Sequence, residues 1–219
     1  MIEQEQAKHL LAAALREGPA HAYLFHGPAG VGKRRAALAF AAGLLADGDR
    51  VERRAHPDLY VLEPHGDQIR IDDIRELRRD LHMRPFEGDR RVYLIFDAHL
   101  LNAEAADSLL KDLEEPPPYA VVVLAADELG PISETIRSRC QLVPFQRLSE
   151  RAVRAEAERL APGLSPDELT AVARVAAGRL DRVAACSTRT PSAGEPSCSQ
   201  SHAPRTPIPR SIRLPPPRR

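Results

Sequence analysis

A chain of 219 residues is long enough for one large or two small domains with a real hydrophobic core. Its 31 Lys and Arg balance 31 Asp and Glu, so no global field favours nucleic acid or a membrane surface. Three scattered cysteines (Cys140, Cys186, Cys198) argue against a disulfide framework and against a zinc site built from cysteines alone. The longest apolar run, 36–46, is too short for a bilayer span, which takes about 20 residues, and the charged N-terminus has no signal-peptide core; the chain reads as soluble and cytoplasmic.

Residues 3–17 read as a helix, with Leu10, Leu11, Ala14 and Leu15 as its apolar stripe, ended by Gly18-Pro19. A short strand over 23–25 leads into Gly27-Pro28-Ala29-Gly30-Val31-Gly32-Lys33, and an Ala-rich helix over 33–45 follows. Asp47-Gly48-Asp49 breaks that helix, and 49–56 is polar. A second strand, 59–62, closes on Glu63-Pro64-His65-Gly66. The next helix opens at Ile71-Asp72-Asp73, with Asp72 as its expected N-cap and Ile74, Leu77 and Leu81 on one face. After a turn at 84–88, the continuous apolar run 91–96 suits a central parallel strand buried on both faces. Asn102 caps a helix that Pro116-Pro117-Pro118 stops, and 120–126 is another fully buried strand. A short helix over 132–137 precedes a last strand, 141–145. Strands alternating with helices predict a parallel α/β sheet with crossover helices.

From 149 the character changes. Segments 149–160 and 166–177 carry helical periodicity, with Ser165-Pro166-Asp167-Glu168 as a helix start, and predict a small helical lid. Residues 187–219 hold eight Pro and six Arg against the single acid Glu195, leaving the body net acidic by five charges (25 basic against 30 acidic). That composition cannot bury enough surface to offset chain entropy, so the segment is expected to be disordered. The expected divisions are 1–147, 148–186 and 187–219.

The spacing G-x-x-x-x-G-K between a strand and a helix is that of a phosphate-binding loop: glycines let successive N–H groups face phosphate oxygens, and Lys33 would reach the outer phosphates. Gly27, Gly30, Gly32, Lys33 and Arg34 are therefore the candidate nucleotide contacts. The position after the lysine, where Ser or Thr usually ligates magnesium, is Arg34, which could instead fold back on the loop.

HAYLFHGPAGVGK, HPDLYVLEP, NAEAADSLLKDLEEPPP and TIRSRCQLVPF together resemble the clamp-loader branch of the AAA+ ATPases, and most of all bacterial DNA polymerase III delta-prime subunits, over about residues 2–185. The resemblance implies an AAA+ P-loop sheet with a helical lid, ATP or ADP as possible ligand, and gamma/tau and delta subunits as partners. Through the complex it implies work on a sliding clamp and primed DNA. It also implies Arg139, in Ser138-Arg139-Cys140, as an arginine finger acting on a neighbour's nucleotide; the plainer alternative is that Arg139 or Arg137 pairs with a local carboxylate such as Glu134. In hydrolytic relatives the third strand ends in Asp-Glu. Here Phe96-Asp97 stand there, so Asp97 is a degenerate base, a metal ligand in a shifted register, or only the end of a buried strand. Ala125-Ala126 replace the residue that senses the γ-phosphate. Arg182, with Arg179 second, falls where a lid arginine would meet nucleotide, or is a solvated helix residue. Ile2-Glu3-Gln4 resembles an adenine-flanking segment.

The four-cysteine zinc module of many relatives has no counterpart in 47–55, so no zinc is expected. The family's collar domain is replaced by 187–219, which reads as a truncated or out-of-frame product, or as a genuine basic tail. Losing magnesium ligand, base and sensor together predicts a non-hydrolytic subunit. The alternatives are a self-sufficient ATPase of gamma/tau type and a fragment that cannot assemble.

Overall fold

Strands β3 (Arg91–Ile95) and β4 (Ala120–Ala126) are buried at every position, as continuous apolar runs between two helical layers must be. In the computed structural model, which describes residues 2–160 and 162–187, they join β1 (Ala22–His26), β2 (Leu59–Leu62) and β5 (Gln141–Pro144) in one parallel sheet ordered β2-β3-β4-β1-β5. Side chains alternate across it. Leu24, Tyr93, Ile95, Val122 and Leu124 feed one core, while Tyr23, Phe25, Val92, Leu94 and Val123 feed the other.

The first core is covered by α4 (Ile71–Leu81), α5 (Ala103–Glu114) and α6 (Glu134–Arg139), through Ile74, Leu77, Leu109 and Ile136. The second is covered by α1 (Glu5–Glu17) and α2 (Lys33–Leu45), through Leu11, Ala37 and Phe40. The parallel α/β expectation holds.

Local differences have local causes. The segment 49–56 contains a helix, α3 (Gly48–Glu52), because Asp47 accepts from the Arg50 N–H and Val51 is buried. The N-cap of α4 is Arg70, whose N–H donates to the Asp73 carboxylate at 2.8 Å; Asp72 lies within the first turn and pairs with Arg75 instead. The Asn102 cap is present, with its Oδ1 accepting from the Ala105 N–H.

After the sheet, α7 (Glu150–Leu160), α8 (Pro166–Ala176) and α9 (Leu180–Ser187) share their own apolar cluster, including Leu148, Val153, Leu169 and Val183. Ser165 and Glu168 form a capping box with Pro166 at the first position of α8. The N-terminal segment is tied to the start of this layer. Gln4 exchanges two hydrogen bonds with the Gln146 backbone, and Glu3 accepts from the Ser149 N–H and hydroxyl. Apart from Ser187, the segment expected to be disordered lies outside the described residues. Among the described residues no helix is long and apolar enough to cross a membrane.

Candidate functional site

Strand register assembles the site. Phe25 lies beside Ala125 and His26 beside Ala126, while Ile95 lies beside Leu124. The residues leaving the carboxyl ends of β1, β3 and β4 therefore converge: the loop 27–32, Phe96-Asp97 and Asp127. Open α/β sheets bind ligands in this region, beside the strand where the order reverses. A cleft of about 440 Å³ sits here, lined by loop, strand-end and α9 residues.

The loop holds the shape its glycines allow. Gly27 has φ +141°, and a Cβ there would run into the Phe145 carbonyl. Gly30 has φ +74°, and a Cβ there would meet the Asp181 carboxylate. Lys33, only 6% exposed, donates to the Gly27 and Pro28 carbonyls at 2.6 and 2.7 Å and pairs with Asp127 at 2.8 Å. Two of its three protons are held by carbonyls, and the Asp127 carboxylate stands at ion-pair distance. Burial, and then the Lys33 charge, push the neighbouring His26 imidazole below its usual range.

Arg34 does not fold back on the loop. Its guanidinium spans two strand ends, reaching Asp97 at 2.6 Å and Glu63 at 3.0 Å, and lies 4.9 Å from the centre of the buried Phe96 ring. Arg54 also pairs with Glu63 at 3.0 Å. Asp97 itself is held in the left-handed region, φ +54°. Ala125 lines the cleft and brings no polar group to it.

The helical layer closes over the loop. The Leu180 N–H donates to the Gly30 carbonyl at 2.7 Å, and Arg179 grips Asp181 through two hydrogen bonds. Burial alone would raise the Asp181 carboxyl; its hydrogen bonds from Arg179 and that residue's charge outweigh this and hold it below the usual carboxylate range. Arg179, not Arg182, lines the cleft. Arg182 lies in the first turn of α9, and its guanidinium is 3.5 Å from the Val175 carbonyl. Ile2, with Val31 and Leu180, lines a smaller adjoining pocket of about 190 Å³.

Arg139 lies apart from the cleft lining, at the last position of α6 immediately before Cys140 and β5. Its guanidinium contacts the Thr135 carbonyl at 3.0 Å and pairs with Glu114 at 2.5 Å, a carboxylate pair of the kind the plainer alternative expects, with Glu114 in the place of Glu134; both partners are partly exposed. Burial pushes the Cys140 thiol up to about 12, the behaviour of a packed, unreactive side chain.

Four carboxylates at or beside the cleft were not read from the sequence: Asp127, Glu156 and Asp181 in its lining, and Glu63 on Arg34. Two of them directly follow parallel strands, which is the signal that could have found them. Among the described residues no group of three or more His, Cys, Asp and Glu could hold a metal ion.

Comparison with known proteins agrees with this geometry. The family model described as "DNA polymerase III, delta subunit" matches residues 2–149. The chain is 36% identical over 145 residues to DNA polymerase III subunit delta' of Bacillus subtilis (strain 168), covering 61% of this chain and 44% of that protein. It is 40% identical over 136 residues to the Pseudomonas aeruginosa delta' subunit, covering 55% and 42%. It is also 32% identical over 167 residues to the B. subtilis tau subunit, covering 70% and 30%. It thus spans less than half the length of these relatives. In fold it is similar to the Thermotoga maritima RuvB Holliday junction branch migration motor, with a TM-score of 0.65 at 20% identity over 86% of this chain and 61% of that one. A T. maritima gamma subunit-related protein gives a TM-score of 0.62 at 23% identity, covering 81% and 56%. The fold is that of the AAA+ P-loop proteins.

Proposed function

This chain belongs to the DNA polymerase III delta subunit family, and from that premise we propose that it is a delta-prime-type clamp-loader subunit that does not hydrolyse ATP itself. In this reading it occupies a place in a cytoplasmic ring with gamma/tau and delta subunits, and the assembled ring loads a sliding clamp onto primed DNA. Residues 1–147 act as its sheet domain and 148–186 as its lid.

The observation that carries the proposal is the pairing of Arg34 with Asp97. Phosphoryl transfer is catalysed mainly by positioning and by neutralising charge, so a site needs its metal ligands, water-orienting base and sensor in place together. Here the metal-ligating hydroxyl is a guanidinium, and the carboxylate that could serve as ligand or base is bound to it. The sensor position is Ala125. A nucleotide at the loop, ATP or ADP, would be held by the backbone of 27–32 and by Lys33, with turnover unsupported.

What remains for chemistry is Arg139. An arginine finger must stand at the surface on a firm base and carry a charge that never titrates off. Arg139 has that position, and its surface pair with Glu114 is worth at most about 1 kcal/mol, little enough to exchange for a neighbour's phosphate. Arg179 replaces Arg182 as the lid arginine in the proposal.

A steady-state ATPase assay of the chain alone tests the non-hydrolytic half. No turnover above background is expected. Turnover that disappears in Lys33→Ala would contradict the proposal and favour a self-sufficient ATPase of gamma/tau type.

A further inference from the structure

We propose that the cleft carries built-in stand-ins for a magnesium–nucleotide ligand, with Arg34 in the place of the metal and Asp127 in the place of the outer phosphate. The proposal rests on the non-hydrolytic reading above but concerns what the cleft binds, not what it turns over.

The metal half follows from the chemistry around Arg34. Carboxylates at the ends of neighbouring parallel strands, beside a phosphate loop, are the oxygen ligands a hard divalent cation uses. Glu63 directly follows β2 and Asp97 lies two residues past β3, and the two strands pair directly. Arg34 bridges them at 3.0 and 2.6 Å, and the Phe96 ring lies against the guanidinium. A guanidinium stays charged at every physiological pH, so its charge repels a second cation from the same carboxylates. The side chain of Arg34 also has no oxygen to offer. The residues present do not fit magnesium.

The phosphate half follows from Lys33. Its role in a phosphate loop is to give protons to the outer phosphate oxygens. Asp127 Oδ1 pairs with the Lys33 ammonium at 2.8 Å, and the Gly27 and Pro28 carbonyls accept two of its protons. Asp127 is anchored in turn, because its N–H donates to His99 Nδ1 at 3.3 Å. An anion entering the loop must displace a carboxylate already at contact distance. The two stand-ins act on different quantities. Asp127 sets the affinity for a nucleoside di- or triphosphate in any form, and Arg34 sets whether that affinity depends on a divalent cation.

Fluorescence titration with N-methylanthraniloyl-ADP, in excess Mg²⁺ and in EDTA, separates them. Asp127→Asn is expected to tighten binding up to about fivefold over wild type, equally in both conditions, the scale set by removing one competing ion pair. Adding Arg34→Thr should make binding fall roughly tenfold when EDTA replaces Mg²⁺, whereas adding Arg34→Lys, which keeps the charge, should not. The proposal is overturned if Asp127→Asn binds no more tightly than wild type, if wild type or Asp127→Asn already weakens about tenfold in EDTA, or if the Arg34→Thr double variant ignores Mg²⁺. Circular dichroism checks folding. Should the Arg34→Thr form not fold, the single Asp127→Asn variant still decides, since it must bind more tightly and ignore EDTA. ATP turnover by wild type would sink the non-hydrolytic reading without touching these titrations.

Discussion

Gly27 is where the loop meets the end of the sheet, and its φ of +141° and the Phe145 carbonyl together leave no room for a side chain. Gly27→Ala is therefore expected to lose about 2 kcal/mol, from backbone strain plus a forced shift of β5. In a chain of this size that is about 5 °C in thermal midpoint, read by differential scanning calorimetry. An unchanged midpoint would mean that the loop relaxes freely and does not hold the geometry described. At this scale the glycines and Lys33 were legible, because their spacing is itself the signal. The carboxylates that pair with the cleft's cations were not. Asp127 meets Lys33 because β1 and β4, far apart in the chain, are neighbours in the sheet. Glu63 meets Arg34 because α2 packs across β3 toward the end of β2. Spacing also favoured Arg182 over Arg179. In the structure α9 starts at Leu180, which leaves Arg179 in the cleft lining and Arg182 along the helix.

Among the elements, the turn between α4 and β3 depends on one buried carboxylate. Asp58, fully buried just before β2, accepts from the N–H groups of Phe86, Glu87 and Gly88 at 2.6, 2.9 and 3.2 Å. Burial alone would raise its carboxyl; the three N–H groups, and then the Arg91 charge, outweigh this and hold it below the usual carboxylate range. A carboxyl lowered on folding contributes stability above its unfolded value, near pH 4, and loses it as pH falls through the folded value. Asp58→Asn should cost about 2 kcal/mol at neutral pH and flatten the acid limb of the stability–pH curve, measured by urea unfolding between pH 3 and 7. An acid limb as steep as wild type would remove Asp58 from this role. The strands β2 and β4 match their expected bounds because apolar runs flanked by turn residues have one reading. The helix α3 escaped because a cap and an ion pair with Glu87, not an apolar stripe, stabilise it. The helix α9 escaped because it is short and begins within Gly178-Arg179-Leu180, where turn signals mask periodicity.

For the whole molecule, the contrast is one of place: the cleft's cations pair with carboxylates around the phosphate loop, while Arg139 and its carboxylate partner lie outside the cleft lining. Lys33 with Asp127, Arg34 with Asp97 and Glu63, and Arg179 with Asp181 neutralise one another inside one site. Arg139 is held only by a partly exposed carboxylate on α5 and by its own helix. The most direct measurement is the clamp- and DNA-stimulated ATPase rate of a loader reconstituted with this subunit, wild type against Arg139→Ala, with size-exclusion chromatography confirming that the variant still assembles. A finger supplied in trans predicts a loss of at least about tenfold, toward the larger values known for such arginines. A fully assembled loader whose rate is undiminished by Arg139→Ala would contradict the account.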